Sequence, residues 1–244
     1  AEPLALDGLY VGAPDEVHHL AADLRWPPAA DWLRRLPQGA MPEWLGRLAA
    51  SGAEGARRLI GLAGLELDIE SLRDALAPRG ISTFEFDSGD TLRATIPAAN
   101  GLFTARSLAR MYAALAGGGE IDGVRLLSPE TLARATERQS ATQRNVVIPF
   151  DMRWRLGYHG VGTTRGVPRQ AFGHFGFGGS GAWADPSREL ALAFIVNCGM
   201  GTPFGDTRTA RISGAALASV QGMRHSRRRA AERSKTRLRP VAQA

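Results

Sequence analysis

A chain of 244 residues with 44% hydrophobic side chains has ample material for a buried core, and none of its stretches approaches the roughly 18–20 apolar residues of a membrane helix. The single cysteine, Cys198, excludes an intrachain disulfide and a cysteine-held zinc, and His18, His19, His159, His174 and His225 show no ligand spacing, so no metal and no other cofactor is expected. The net charge of +6 points to a polyanion binder only until it is split: residues 223–244 carry eight basic side chains against Glu232 alone, which leaves residues 1–222 close to neutral.

In chain order, LDGLYVGAPDEVHHLAADL reads as a turn followed by a helix begun near Pro14–Asp15. DWLRRL, PEWLGRLAASGAEGARRLIGLAGL and IESLRDALA are helical by periodicity, and Pro78 and Gly80 stop the last of them. FEFDSGDTLRATIPAANG reads as a loop, punctuated by Pro97 and Asn100–Gly101. TARSLARMYAALAGGG then puts Leu108, Met111, Tyr112 and Leu115 on one helical face, with Thr104 as N-cap and Gly117–Gly119 as the stop. EIDGVRLLS is a small hairpin around Asp122–Gly123, and SPETLARATERQ a helix with Ser128 as cap and Pro129 at its first position.

The last third is β-rich. Residues 153–160, 169–176, 181–185 and 189–197 are strand candidates, and Asp185–Pro186–Ser187–Arg188 turns the last two into an antiparallel pair. A final helix covers 206–221. The chain thus divides into an α+β domain over 1–222, mainly helical over 1–150 and stranded with a closing helix over 151–222, and a basic tail over 223–244 expected to lack structure.

One stretch needs a function. FGHFGFGGSGAWADPS has glycine at five of the nine positions from Gly173 to Gly181. Gly176, Gly178 and Gly181 satisfy G-x-G-x-x-G, but a dinucleotide site needs a helix next, and Asp185–Pro186 follows instead. A P-loop is excluded for want of G-K-[ST], and Ser180 misses the G-x-S-x-G nucleophile turn by one glycine. The alternatives left are a tight bend with a packed His174, or an edge strand that aims His174 into a cleft while the glycines let a ligand approach the backbone.

Three stretches carry a resemblance: EPLALDGLYVG at 2–12, IPAANGLFTARSLARMYAALAGGGEIDGVRLLSPETLARA at 96–135, and FGHFGFGGSGAWADPSRELALAFIVN at 172–197. Together they resemble the second half of the serine β-lactamase and penicillin-binding-protein family, in the branch of class C-like β-lactamases, esterases and D,D-peptidases. The likeness runs over about 1–221 and is loosest at 27–85. It implies an incomplete β-lactamase/transpeptidase-like fold and an acyl-enzyme serine hydrolase. His174, Phe175 and Gly176 match the family's third active-site motif, K-T-G or its histidine-first variant, which lines the cleft. The resemblance gives His174 a catalytic role and gives His174, Phe175 and Gly176 a role in substrate binding. Phe175 replaces a small hydroxyl residue, and an apolar group there suits an ester better than a β-lactam carboxylate.

The family's nucleophile motif, S-x-x-K, has no counterpart. Lys235 is the only lysine, and Glu232 stands three residues before it. Tyr10, Tyr112 and Tyr158 are followed two positions on by Gly12, Ala114 and Gly160, so Y-x-N is missing too. The resemblance places both motifs upstream of Ala1. The chain is therefore expected to be a C-terminal portion, inactive alone, that acts on a small-molecule ester or amide once completed, with ELALAFIVN exposed along a sheet edge. The other readings are a non-catalytic binding or interaction protein built on this fold, and polyanion binding through the basic tail. Nucleic acid is not an expected partner of the body, which has no basic stripe. No leader sequence is visible and the compartment is left open, with the cytoplasm as default.

Overall fold

The computed structural model describes residues 1–25, 84–139, 151–176, 178–199 and 207–237. The helices expected at 31–36, 42–65 and 69–77 lie outside the described residues.

A two-stranded ribbon joins distant parts of the chain. β1 (Leu9–Val11) pairs antiparallel with β2 (Gly101–Phe103), with Leu9 opposite Phe103. The helix expected from Pro14 is a 3-10 helix, Asp15–Leu20. The supposed loop before Asn100 contains a short helix, α1 (Gly89–Arg93), capped by Ser88, whose side chain accepts from Thr91 N. Asn100, buried, ties the following turn together: its amide donates to Thr91 O at 2.6 Å and to Ala94 O, and its carbonyl accepts from Ile96 N at 3.1 Å.

α2 (Ala105–Ala116) starts at Thr104, whose hydroxyl accepts from Ser107 N. Leu108, Tyr112 and Leu115 form its buried stripe, and Met111 is only partly covered. β3 (Glu120–Ile121) and β4 (Val124–Arg125) make the small hairpin, and its turn needs positive φ at both Asp122 (50°) and Gly123 (78°). α3 (Pro129–Thr136) follows with Ser128 as cap, accepting from Thr131 N.

The principal sheet has the order β5-β6-β7, all antiparallel: β5 (Phe172–Phe175), β6 (Gly181–Asp185) and β7 (Leu190–Phe194). Strand alternation splits its side chains between two cores. On one face Phe172, Ala182, Ala184, Ala191 and Ala193 meet the stripe of α2, and the alanines let the helix lie close. On the other, Phe175, Trp183, Leu190 and Leu192 pack with Val161, Ala171 and Leu217, the last from α4 (Thr207–Arg237). β7 is one outer strand of this sheet among the described residues, and β5 is the other.

Two expectations are corrected. Residues 153–160 form no strand; His159 makes an isolated bridge to Gly173, while Gly160 N turns back to Met152 O and Arg155 N to Tyr158 O. The closing helix does not stop at 221 but runs to Arg237, into the segment expected to lack structure. Beyond Gly222 that stretch has neither glycine nor proline before Pro240, and alanine and arginine favour helix.

Candidate functional site

The glycine stretch is the turn of the β5–β6 hairpin. Gly176 N donates to Ser180 O at 2.9 Å and Gly179 N to Gly176 O at 3.1 Å, so the turn is closed by its own backbone. Gly178 and Gly179 both have φ of 102°, which strains any other residue. The first turn of α4 holds the loop from outside: Arg208 donates to Gly178 O at 3.3 Å and Thr209 Oγ1 to Gly179 O at 3.2 Å. A strand, β6, follows the glycines in the chain where the fingerprint needs a helix, so the dinucleotide fingerprint has no structural basis.

Ser180 is spoken for. Its hydroxyl donates to Val196 O at 3.2 Å and accepts from Val196 N at 2.9 Å, which splices β6 to the chain beyond β7. A nucleophile must pass its proton to a base, and here the proton rests on a backbone carbonyl. Treatment with a fluorophosphonate probe is therefore expected to leave Ser180 unlabelled by peptide mass mapping. Ser180→Ala should instead lower stability by about 1–2 kcal/mol, the scale of a hydrogen bond with a partner left unmade.

Of the three matched residues, the hairpin presents only His174 by its side chain. His174 stands opposite Ala182 on the α2 face of the sheet, yet it is exposed, unlike its strand neighbours Phe172, Gly173 and Phe175. Phe175 points the other way and is 5% exposed, packed with Trp183 and Leu217. Its ring therefore offers nothing to an ester, contrary to the expectation from its apolar character, and its N–H is taken by the His159 ring. Gly176 has open space around a would-be Cβ except for Ser180 O at 3.9 Å, so backbone there is approachable. Gly173 has a different duty: a Cβ would come within 2.2 Å of Ala182 O and 2.5 Å of Trp183 Cβ.

A second histidine, not singled out from the sequence, adjoins the first. The rings of His159 and His174 lie 5.2 Å apart at 63°, and Trp154 stands edge-on to His159 at 5.8 Å. His159 N donates to Gly173 O at 2.8 Å, and Gly173 N returns the bond at 3.2 Å. Its ring is also fully engaged: Nδ1 bonds Gly160 O at 2.8 Å and Nε2 accepts from Phe175 N at 3.1 Å. With both nitrogens used, the pair cannot chelate a metal in this arrangement, and among the described residues there is no group of three or more metal-ligating side chains. No helix among them is long and apolar enough to cross a membrane.

Burial holds His159 below the ordinary histidine range. Partial desolvation, with His159 beside it, does the same for His174. On the α2 side, burial raises Tyr112 and Tyr158 above the usual tyrosine value, so both phenols are neutral. The histidines carry a pH consequence. The unfolded chain binds protons at about pH 6.5 and the folded chain only below that, so the unfolded state gains protons first on acidification. Stability from these two rings is complete above about pH 6.5 and is lost as pH falls through their lower folded values. Urea midpoints should therefore drop between about pH 7.5 and 5, and His174→Gln should flatten part of the drop.

A sequence model of the Beta-lactamase family matches residues 1–217. The chain is 37% identical over 199 residues to Esterase/beta-lactamase LipL of Mycobacterium tuberculosis (strain ATCC 25618 / H37Rv), covering 81% of this chain and 41% of that protein. Among solved structures, a penicillin-binding-protein homologue from Caulobacter crescentus superposes with TM-score 0.64 at 31% identity, over 89% of this chain and 50% of that one. A family VIII carboxylesterase shares the fold at TM-score 0.59 and 24% identity, over 86% of this chain and 47% of that one. The chain thus spans half or less of the length of these relatives. With a family model matched over residues 1–217, the chain belongs to the Beta-lactamase family.

Proposed function

We propose that this chain supplies one wall of an acyl-transfer site for small esters or amides, with His174 as its polar group and the backbone at Gly176 as the surface a substrate lies against. The exposed His174 on an otherwise buried strand is the observation that carries the reading. The serine and lysine of the mechanism are absent from this sequence, so the wall works only when the remainder of the fold completes it. Attack of that serine on the carbonyl carbon expels the alcohol or amine and leaves an acyl-enzyme, which water then hydrolyses.

At pH 7 an imidazole held below its ordinary range is neutral. His174 then offers one N–H and one lone pair to the reacting centre, not the full positive charge of the lysine usual in this motif. A neutral donor stabilises developing oxyanion charge but gives a substrate carboxylate no ion pair. Neutral esters are accordingly favoured over anionic β-lactams, on the protonation of His174 and not on the ring of Phe175.

Mixing the chain with the S-x-x-K-bearing half of a relative, and assaying a chromogenic short-chain ester beside a cephalosporin, tests this. Turnover is expected in the mixture, with the ester preferred, and His174→Ala should lower it about 10²–10³-fold, the scale of losing one preorganised donor. Equal turnover by the His174→Ala chain would overturn the assignment.

A further inference from the structure

His159 meets the rim only at the ring of His174, and it holds the strand that forms it. β5 uses one edge for β6, at His174 and Gly176, and turns its Gly173 and Phe175 amides toward His159. The backbone of His159 takes the first and its ring takes the second. Gly160 O is only an acceptor, so Nδ1 must carry the proton. Phe175 N–H is only a donor, so Nε2 must present a lone pair. The partners thus dictate one tautomer and one charge state.

We infer that His159 is the positioning residue of the rim: as a neutral Nδ1–H imidazole it clamps Phe175 N–H and so sets where His174 and Gly176 stand. A proton on Nε2 would replace the acceptor by a donor facing a donor, and the clamp would open. The buried Phe175 amide would then have no partner, which the strand can relieve only by shifting. Among the described residues, the charged or titratable groups that face His159 are Arg155 on its own segment and His174 on β5. Burial opposes a proton on His159 most strongly, and Arg155 opposes it too. The sequence gives little hint of this, since the bond crosses 16 residues from a ring to a backbone amide. The inference rests on the cleft-wall reading for its use in the reaction, but not for the clamp itself.

The test needs no substrate, so it decides the clamp even where the His174→Ala assay fails. Nitrogen-15 NMR of the whole chain should show His159 as the Nδ1–H tautomer at pH 7.5. On acidification its titration should coincide with a shift of the His174 ring signals and at least a tenfold rise in exchange of the Phe175 amide beyond its intrinsic pH trend. Glutamine can place its side-chain oxygen near the position of Nε2 without titrating there. His159→Gln should therefore keep Phe175 protected and abolish the acid step, while His159→Phe should lose protection at every pH. An Nε2–H tautomer in the native chain, or an acid step in Phe175 amide exchange that survives in His159→Gln, would overturn the proposal. Full Phe175 protection in a folded His159→Phe chain would do the same.

Discussion

Trp183→Ala should cost the fold about 3–5 kcal/mol, the range for large aromatic side chains deleted from a core. The indole is 0% exposed and lies among Val161, Phe175 and Leu217, and its Nε1–H donates to Ser213 Oγ at 3.0 Å. The void has little to fill it. Gly173, directly across the strand pair, has no side chain, and its backbone is already held by His159. With total stability of the order of 5–15 kcal/mol for a domain, the variant would retain a fraction of it or none. Chemical denaturation reads the loss, and a change below about 1 kcal/mol would mean that the second core is not packed as described. Ser213→Ala separates the polar part: it leaves the indole N–H without an acceptor and should cost about 1–3 kcal/mol alone.

A second large effect is expected at the β6–β7 turn. The Asp185 side chain is 0% exposed, and its carboxylate accepts from Ser187 N at 3.0 Å, from Ser187 Oγ at 2.5 Å and from Arg188 at 2.6 Å. Removing the guanidinium strands a buried charge with only two neutral donors. Arg188→Ala is expected to cost about 3–5 kcal/mol, as when one partner of a buried pair is lost. The sign of a second change is the sharper test. Asp185→Asn placed on top of Arg188→Ala removes the stranded charge and should recover stability, though it deletes another native residue. If the double variant is less stable than Arg188→Ala, the turn is not governed by the buried carboxylate.

What could be read beforehand follows how local each interaction is. α2 and α3 announce themselves through Thr104 and Ser128, caps that bond three residues on, and through apolar spacing that one face of a helix requires. The hairpin at Asp122–Gly123 is legible because few residue pairs tolerate two positive φ angles. α1 escapes because five residues show no period, although Ser88 was its cap. The stretch 153–160 has strand composition, but its amides bond within the segment and to Ala135 and Gly173, not along a ladder. At the candidate site, His174 stands out through the motif its stretch resembles. The burial of Phe175 does not, because it depends on which face of β5 meets α4. His159 is invisible for the same reason: its role is a bond to a main-chain group that no side-chain pattern encodes.

The anchoring of the glycine turn by Arg208 and Thr209 has a practical meaning for the far end of the protein. Two loop carbonyls draw their donors from residues 30 positions away, in the opening turn of the C-terminal helix. Shortening the chain to residue 222 spares both donors. A cut before Thr207 removes them, and the glycine turn would then loosen through a deletion that touches none of its residues.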